Sequence, residues 1–151
     1  MNQNINPVAF FPDYTGHLSD LRLERRGQEL WRKLTQHPSS SIRQLTKTRA
    51  EQKAYYRFLN NERIEEEQLI NEATLRMGQL AKGRQLLCVQ DTCEINLSGH
   101  KGRLKPNSGL GRSDKSDTVH CFKLHPGLVL DAYNLSPLGF SHIKVFHRPE
   151  E

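Results

Sequence analysis

Lys82-Gly83-Arg84-Gln85-Leu86-Leu87-Cys88-Val89-Gln90-Asp91-Thr92 is where this chain changes its periodicity. Up to Gly83 the apolar residues recur at helical spacing; beyond it they run in short strand-like blocks. Upstream, Leu69, Ile70, Ala73, Met77, Leu80 and Ala81 make one stripe of a helix expected from about Ile64 to Lys82. Acidic residues in its first turn suit the helix dipole, and Gly83 stands just past its C-cap. Downstream, Leu86 to Val89 reads as a buried strand ending at Asp91. Val119 to Leu124 and Leu128 to Leu130 read as two strands joined across His125-Pro126-Gly127, and Pro137-Leu138-Gly139 as a turn into a strand over Phe140–Phe146. Ser98 to Asp117 is too polar and glycine-rich to be core. The last strand is expected to leave Ile143, Val145 and Phe146 on an unpaired edge, which favours self-association.

Three further helices precede residue 64. Asp20 can cap the first, whose apolar positions Leu23, Leu30, Trp31 and Leu34 share one face while Arg22, Arg25, Arg26, Arg32 and Lys33 occupy the other. It stops before Pro38. Ser41 and Gln44 have capping-box spacing ahead of a short helix, and Thr48 and Glu51 repeat it ahead of Ala54, Tyr55, Phe58 and Leu59, with Asn60-Asn61 as the stop. Four helices followed by about four strands make an α+β chain: an arm over residues 1–17, a helical region over 18–83 and a strand region over 84–151.

At 151 residues with 35% hydrophobic content, the chain has room for one domain, or for a small domain and part of another. Lys and Arg number 22 against 17 Asp and Glu, a net +5, with pI near 9.3. That balance favours a polyanionic partner. The excess is concentrated: residues 18–63 hold eleven basic and five acidic residues, a net +6, which Glu65, Glu66, Glu67 and Glu72 then reverse. Lys101, Arg103, Lys105, Arg112 and Lys115, against Asp114 alone, form a second basic stretch. Cys88, Cys93 and Cys121 are an odd set without a CxxC pair, which argues against a disulfide framework or a structural zinc site and for a reduced cytoplasmic protein, the cysteines filling strands. Met1 to Pro12 does not read as a signal peptide, and no apolar run is long enough to span a membrane.

Two features could carry chemistry. Arg49, Lys53 and Arg57 recur at i, i+4 and i+8 with Tyr56 beside them, a stripe able to lie along a phosphate backbone or enter a major groove. Arg22, Arg25 and Arg26 add a second cluster, against the alternative of a merely solvated face. Asp91 follows an apolar strand, where a rigidly held carboxylate could serve metal-dependent phosphoryl transfer, although an aspartate after a strand is more often a turn-former or cap. His100, His120, His125, His142 and His147 match no metal-ligand spacing.

Taken together, ordered motifs resemble those of the DDE transposases of bacterial insertion sequences, in the IS-four branch that includes the Tn-five-like enzymes. Leu18-Ser19-Asp20-Leu21-Arg22-Leu23-Glu24-Arg25-Arg26 is similar to the family's Gly-Asp-x-Arg-Leu-x-x-Arg opening. Ser41-Ile42 and Glu51 through Asn61 resemble its end-binding element, Gln90-Asp91-Thr92 its first catalytic Asp-Thr, and Pro137-Leu138-Gly139 its Pro-Leu-Gly turn. The resemblance implies that the helices clasp double-stranded transposon ends, with Arg22, Arg25, Arg26, Ser41, Arg49, Lys53, Tyr56 and Arg57 as DNA-binding candidates. It implies that Asp91 is a catalytic metal ligand on the first strand of an RNase H-like core, for Mg²⁺ or Mn²⁺ in a complete enzyme that acts on DNA, with a homodimer of that enzyme left open. The family also needs a second Asp and a Glu within Tyr-x-x-Arg-x-x-x-Glu-x-x-x-x-x-x-Lys. Neither occurs up to Glu151, and Asp131 lies on the wrong strand for the second ligand. The expectation is an N-terminal part that binds DNA, holds no metal by itself and does not cut. A stand-alone DNA-binding protein or transposition inhibitor is one rival, and a basic globular domain without a nucleic-acid role is another.

Overall fold

The computed structural model describes residues 11–37, 41–104, 109–113 and 115–147. Residues 1–10 of the expected arm, Pro38 to Ser40, Lys105, Asp114 and the Lys101 side chain lie outside that description. The chain divides into two compact units, Met1–Lys82 and Gly83–Glu151. Helices fill the first and an antiparallel sheet the second, an α+β arrangement.

In the helical unit, α1 spans Leu21–Gln36, α2 Ile42–Leu45, α3 Arg49–Leu59 and α4 Glu66–Ala81. Asp20 caps α1 by accepting the Arg22 N–H at 2.7 Å, and Ser41 N–H donates to Gln44 Oε1 at 3.0 Å ahead of α2. Thr48 caps α3 through the Glu51 N–H at 3.2 Å, but the Glu51 carboxylate reaches back to the Lys47 N–H at 2.8 Å instead of completing a box. Gly83 has φ +72 after α4, the left-handed conformation that a residue without Cβ adopts without strain.

The core of this unit is Tyr14, Leu18, Leu30, Leu45, Tyr55 and Phe58, with Leu23, Leu34, Ile42, Ile64 and Leu69 packed around it. Burying each such side chain contributes about 1.5–3 kcal/mol before entropy is counted. Trp31, read from spacing as part of the buried face, is exposed. Glu24 and Gly27, not read as buried from spacing, are buried on this helix with Leu30. Glu24 accepts the Gly16 N–H at 2.7 Å, and buried Glu72 accepts the Asp13 N–H at 2.9 Å while pairing with Arg76. Two buried carboxylates thus tie residues 13–16 onto the helices, satisfying backbone donors that burial would otherwise leave costly. Gly27 lets α1 approach closely, because a Cβ there would stand 2.8 Å from the Tyr14 ring and 2.9 Å from Phe58.

The sheet unit has five strands: β1 Leu86–Gln90, β2 Cys93–Asn96, β3 Gly111–Ser113, β4 Ser116–Asp131 and β5 Pro137–Phe146, with a 3-10 turn over Ser98–Arg103. All are antiparallel to the long β4. Cys121 pairs with both Asn96 and Gly111, and Leu128 with both Val89 and Phe140, so β1 and β2 lie along one side of β4 and β3 and β5 along the other. Arg84 pairs with Asp131 at 2.6 Å, joining the start of β1 to the end of β4.

The structure departs from several expectations for this half. The segment His125-Pro126-Gly127 does not reverse the chain; it lies inside β4, paired with Lys144, Ile143 and His142 of β5, and a register shift between Gly127 and Leu128 absorbs the irregularity. Pro137-Leu138-Gly139 opens β5, and the reversal comes earlier, at 132–136, where Asp131 Oδ1 accepts the Tyr133 N–H and Asn134 Oδ1 the Ser136 N–H, both at 2.9 Å. Short Asp and Asn side chains build this turn, and Leu135 takes φ +59 within it. The β1 strand is not buried: Leu86 is 47% exposed and Leu87 and Val89 are 46% exposed, since the described residues of this unit include no α-helix to cover a face. Cys88 and Cys93 are exposed too, and only Cys121 fills the sheet; Ile143, Val145 and Phe146 are half-buried.

Candidate nucleic-acid interface and acidic junction

Helix α3 separates its residues cleanly by face. Tyr55 and Phe58 enter the core, while Arg49, Lys53, Tyr56 and Arg57 are exposed, so the basic stripe stands on the solvent side. The polar face of α1 is divided. Arg22 and Arg25 are exposed, as is Arg32, but Arg26 and Lys33 turn toward α3. Arg26 bonds Glu29 at 3.2 Å and lies 5.6 Å from the Tyr55 ring centroid, and Lys33 stands 5.5 Å from the same ring while pairing with Glu51. Of the arginines named on α1 from sequence, Arg26 is therefore engaged internally while its neighbours face water. Ser41 is exposed ahead of α2.

Sequence reasoning missed the brace that holds these helices together. Tyr55 is 0% exposed, and among the described residues its hydroxyl has no hydrogen-bond partner. Burial pushes its phenol up, with the charge of Glu29 acting in the same direction. Two cations within about 6 Å of the ring centroid contribute cation–π attraction that a lone tyrosine would lack. The hydrogen bond with Glu51 holds the Lys33 ammonium above its ordinary range, and that with Lys33 holds the Glu51 carboxyl below its own. The only sequence signal was the excess of basic residues on α1 over those a solvated face requires. The brace fixes α1 against α3, so the outward side chains of both helices project from one rigid body.

Asp91 lies between β1 and β2, exposed, with Oδ1 accepting the Thr92 N–H at 2.7 Å. The two strands share one register against β4, Gln90 opposite Gly127 and Cys93 opposite Leu124. Carried through the gap, that register sets Asp91 opposite Pro126 and Thr92 opposite His125. Ala132 N–H bonds Gln85 O and Leu97 N–H bonds His120 O, each at 2.9 Å, which fixes the alternation of hydrogen-bonded pairs along the ladder. Asp91–Pro126 falls on a hydrogen-bonded position, where proline has no N–H to give. The ladder is interrupted at that pair and the next. Thr92 Oγ1 and His125 Nδ1 are 2.7 Å apart across the gap.

The carboxylate of Asp91 is a hard oxygen donor suited to one position of a Mg²⁺ or Mn²⁺ site, which needs several. Among the described residues no group of three His, Cys, Asp or Glu could hold a metal ion. The described histidines come together only as a pair, His125 and His142, with ring centroids 5.7 Å apart.

An outward basic helix braced against a second one presents a surface suited to a polyanion. Residues 15–64, from the turn before α1 to just short of α4, match the family model for transposase DNA-binding regions. This part of the chain is similar to the DNA-binding N-terminal region of transposases. No curated protein matches the chain. No helix among the described residues is long and apolar enough to cross a membrane.

Proposed function

We propose that residues 18–83 grip double-stranded DNA at transposon ends, and that Asp91 is the first acidic ligand of an RNase H-like core belonging to the IS-four, Tn-five-like branch of DDE transposases. The observation that carries the reading is the coincidence of the family match over 15–64 with a helix whose outward face is Arg49, Lys53, Tyr56 and Arg57. Lysine and arginine neutralise phosphates and release counterions, and Tyr56 can stack or hydrogen-bond on the sugar-phosphate edge. Supporting the core assignment, β1 with β2, then β4, then β5 form an antiparallel meander with the acid partway along its first line of strands.

In the complete enzyme Asp91 would hold one metal position with a second Asp and a Glu supplied by further chain. Mg²⁺ or Mn²⁺ there would offset charge on the phosphodiester and ease deprotonation of the attacking hydroxyl, so that DNA is cut and joined by in-line displacement. This chain contributes the placement: a carboxylate released from the ladder at a fixed register, and helices that set the DNA end. A reduced, cytoplasmic protein, with a homodimer on paired ends, fits this reading.

Gel-shift titration on the terminal inverted repeats flanking the coding frame tests it. Preference for the repeat over scrambled duplex, with affinity falling steeply in salt, is the expected result. Equal binding to every duplex would reduce the helical unit to a nonspecific DNA binder; absence of binding at low salt would remove the reading.

A further inference from the structure

The opening of the ladder at Asp91 poses a mechanical problem. A catalytic carboxylate has to be held within a fraction of an ångström, yet the residue opposite it has no N–H to donate to the backbone ladder. The next cross-strand pair, Thr92 and His125, sits at a non-hydrogen-bonded position, where side chains on facing strands approach closest. Their side chains meet at 2.7 Å. Behind His125 stands His142, with ring centroids 5.7 Å apart, and His142 Nδ1 lies 3.1 Å from Ser141 Oγ, which donates to Gly127 O at 3.2 Å. The His142 ring occupies space that only glycine leaves open: a Cβ on Gly127 would stand 2.5 Å from its Cε1 and 2.5 Å from Ser141 Oγ.

We propose that His125 is a positioning residue whose bond to Thr92 replaces the missing rung and fixes the Asp91 junction, with His142 over Gly127 as its backing. The role toward a metal rests on the reading of Asp91 given above; the mechanical role does not. The bond needs one hydroxyl and, facing it, one polar atom that can donate or accept. It is therefore expected to survive Thr92→Ser, and to survive His125→Asn, whose side-chain amide can either donate or accept. Thr92→Val and His125→Ala remove it.

The test is carried out on the whole chain by NMR, reading amide exchange at residues 91–93 and broadening of those amides by Mn²⁺. Expected are exchange about tenfold faster at residues 91–93 in Thr92→Val and His125→Ala, the scale of one lost hydrogen bond. Values near wild type are expected in Thr92→Ser and His125→Asn, and unchanged exchange over Leu128 to Leu130 shows that the sheet is intact. Unchanged exchange in Thr92→Val and His125→Ala overturns the proposal, as does a loss in His125→Asn as large as in His125→Ala. Mn²⁺ broadening at residues 91–93 that vanishes in Asp91→Asn supports the ligand reading. Broadening at residues 91–93 that persists in Asp91→Asn, with the exchange pattern as expected, removes that reading and leaves the positioning bond standing.

Discussion

Asp91 stands across the sheet from Pro126, at a rung where its carbonyl would receive an N–H that proline does not have. Replacing Pro126 by Ala should close that rung. Hydrogen exchange should then show a protected amide at position 126. Global stability should change by less than about 1 kcal/mol, since the gained hydrogen bond is offset by the greater freedom of the unfolded chain. An unprotected amide at 126 would mean that the gap has another cause.

The division of the basic residues into outward and inward sets makes different variants fail in different ways. Ala at Arg49, Lys53 and Arg57 together should lower the slope of log affinity against log salt by about 3, roughly 0.9 for each phosphate left without its cation, with helicity unchanged. Arg26→Ala should leave that slope alone and reduce thermal stability by about 1 kcal/mol or less, the worth of one partly exposed cation–π interaction. A slope change in Arg26→Ala equal to that of a single α3 variant would place its guanidinium on DNA.

Gly27→Ala sets two effects against each other. Alanine favours a helix interior by about 1 kcal/mol over glycine, whereas a Cβ 2.8 Å from Tyr14 and 2.9 Å from Phe58 forces rings apart at about 1–3 kcal/mol. The crowding should win, and a urea melt of the variant should show a lower midpoint. A raised midpoint would show that Tyr14 can move aside without cost.

Acid should act on the sheet through Asp131. Its carboxyl is held below the ordinary value of 3.8, first by the Tyr133 N–H and then by Arg84. A folded-state value below the unfolded one gives stability that is present above the unfolded value and lost as pH falls through the folded one. Denaturant melts should therefore show a stability difference between wild type and Asp131→Asn that shrinks below about pH 4. A difference independent of pH would assign the effect to the turn geometry alone.

Local chemistry was legible wherever short-range rules decide the outcome. Asp20, Thr48 and Gly83 bounded their helices because capping involves only a few neighbouring residues, and the stripe Arg49, Lys53, Arg57 faces water because Tyr55 and Phe58 on the same helix are apolar. The Asp91-Thr92 dipeptide could be singled out from sequence as an acid after a strand. Tertiary structure decided what depends on residues far apart. His125-Pro126-Gly127 has the composition of a turn, but continuous pairing of all three with β5, and of Gly127 with β1, outweighs that local preference. The brace of Arg26, Lys33 and Tyr55, the buried carboxylates of Glu24 and Glu72, and the bond from Thr92 to His125 each join side chains from separate segments. No periodicity records such pairings, because their energy exists only once the chain has closed the loop between them.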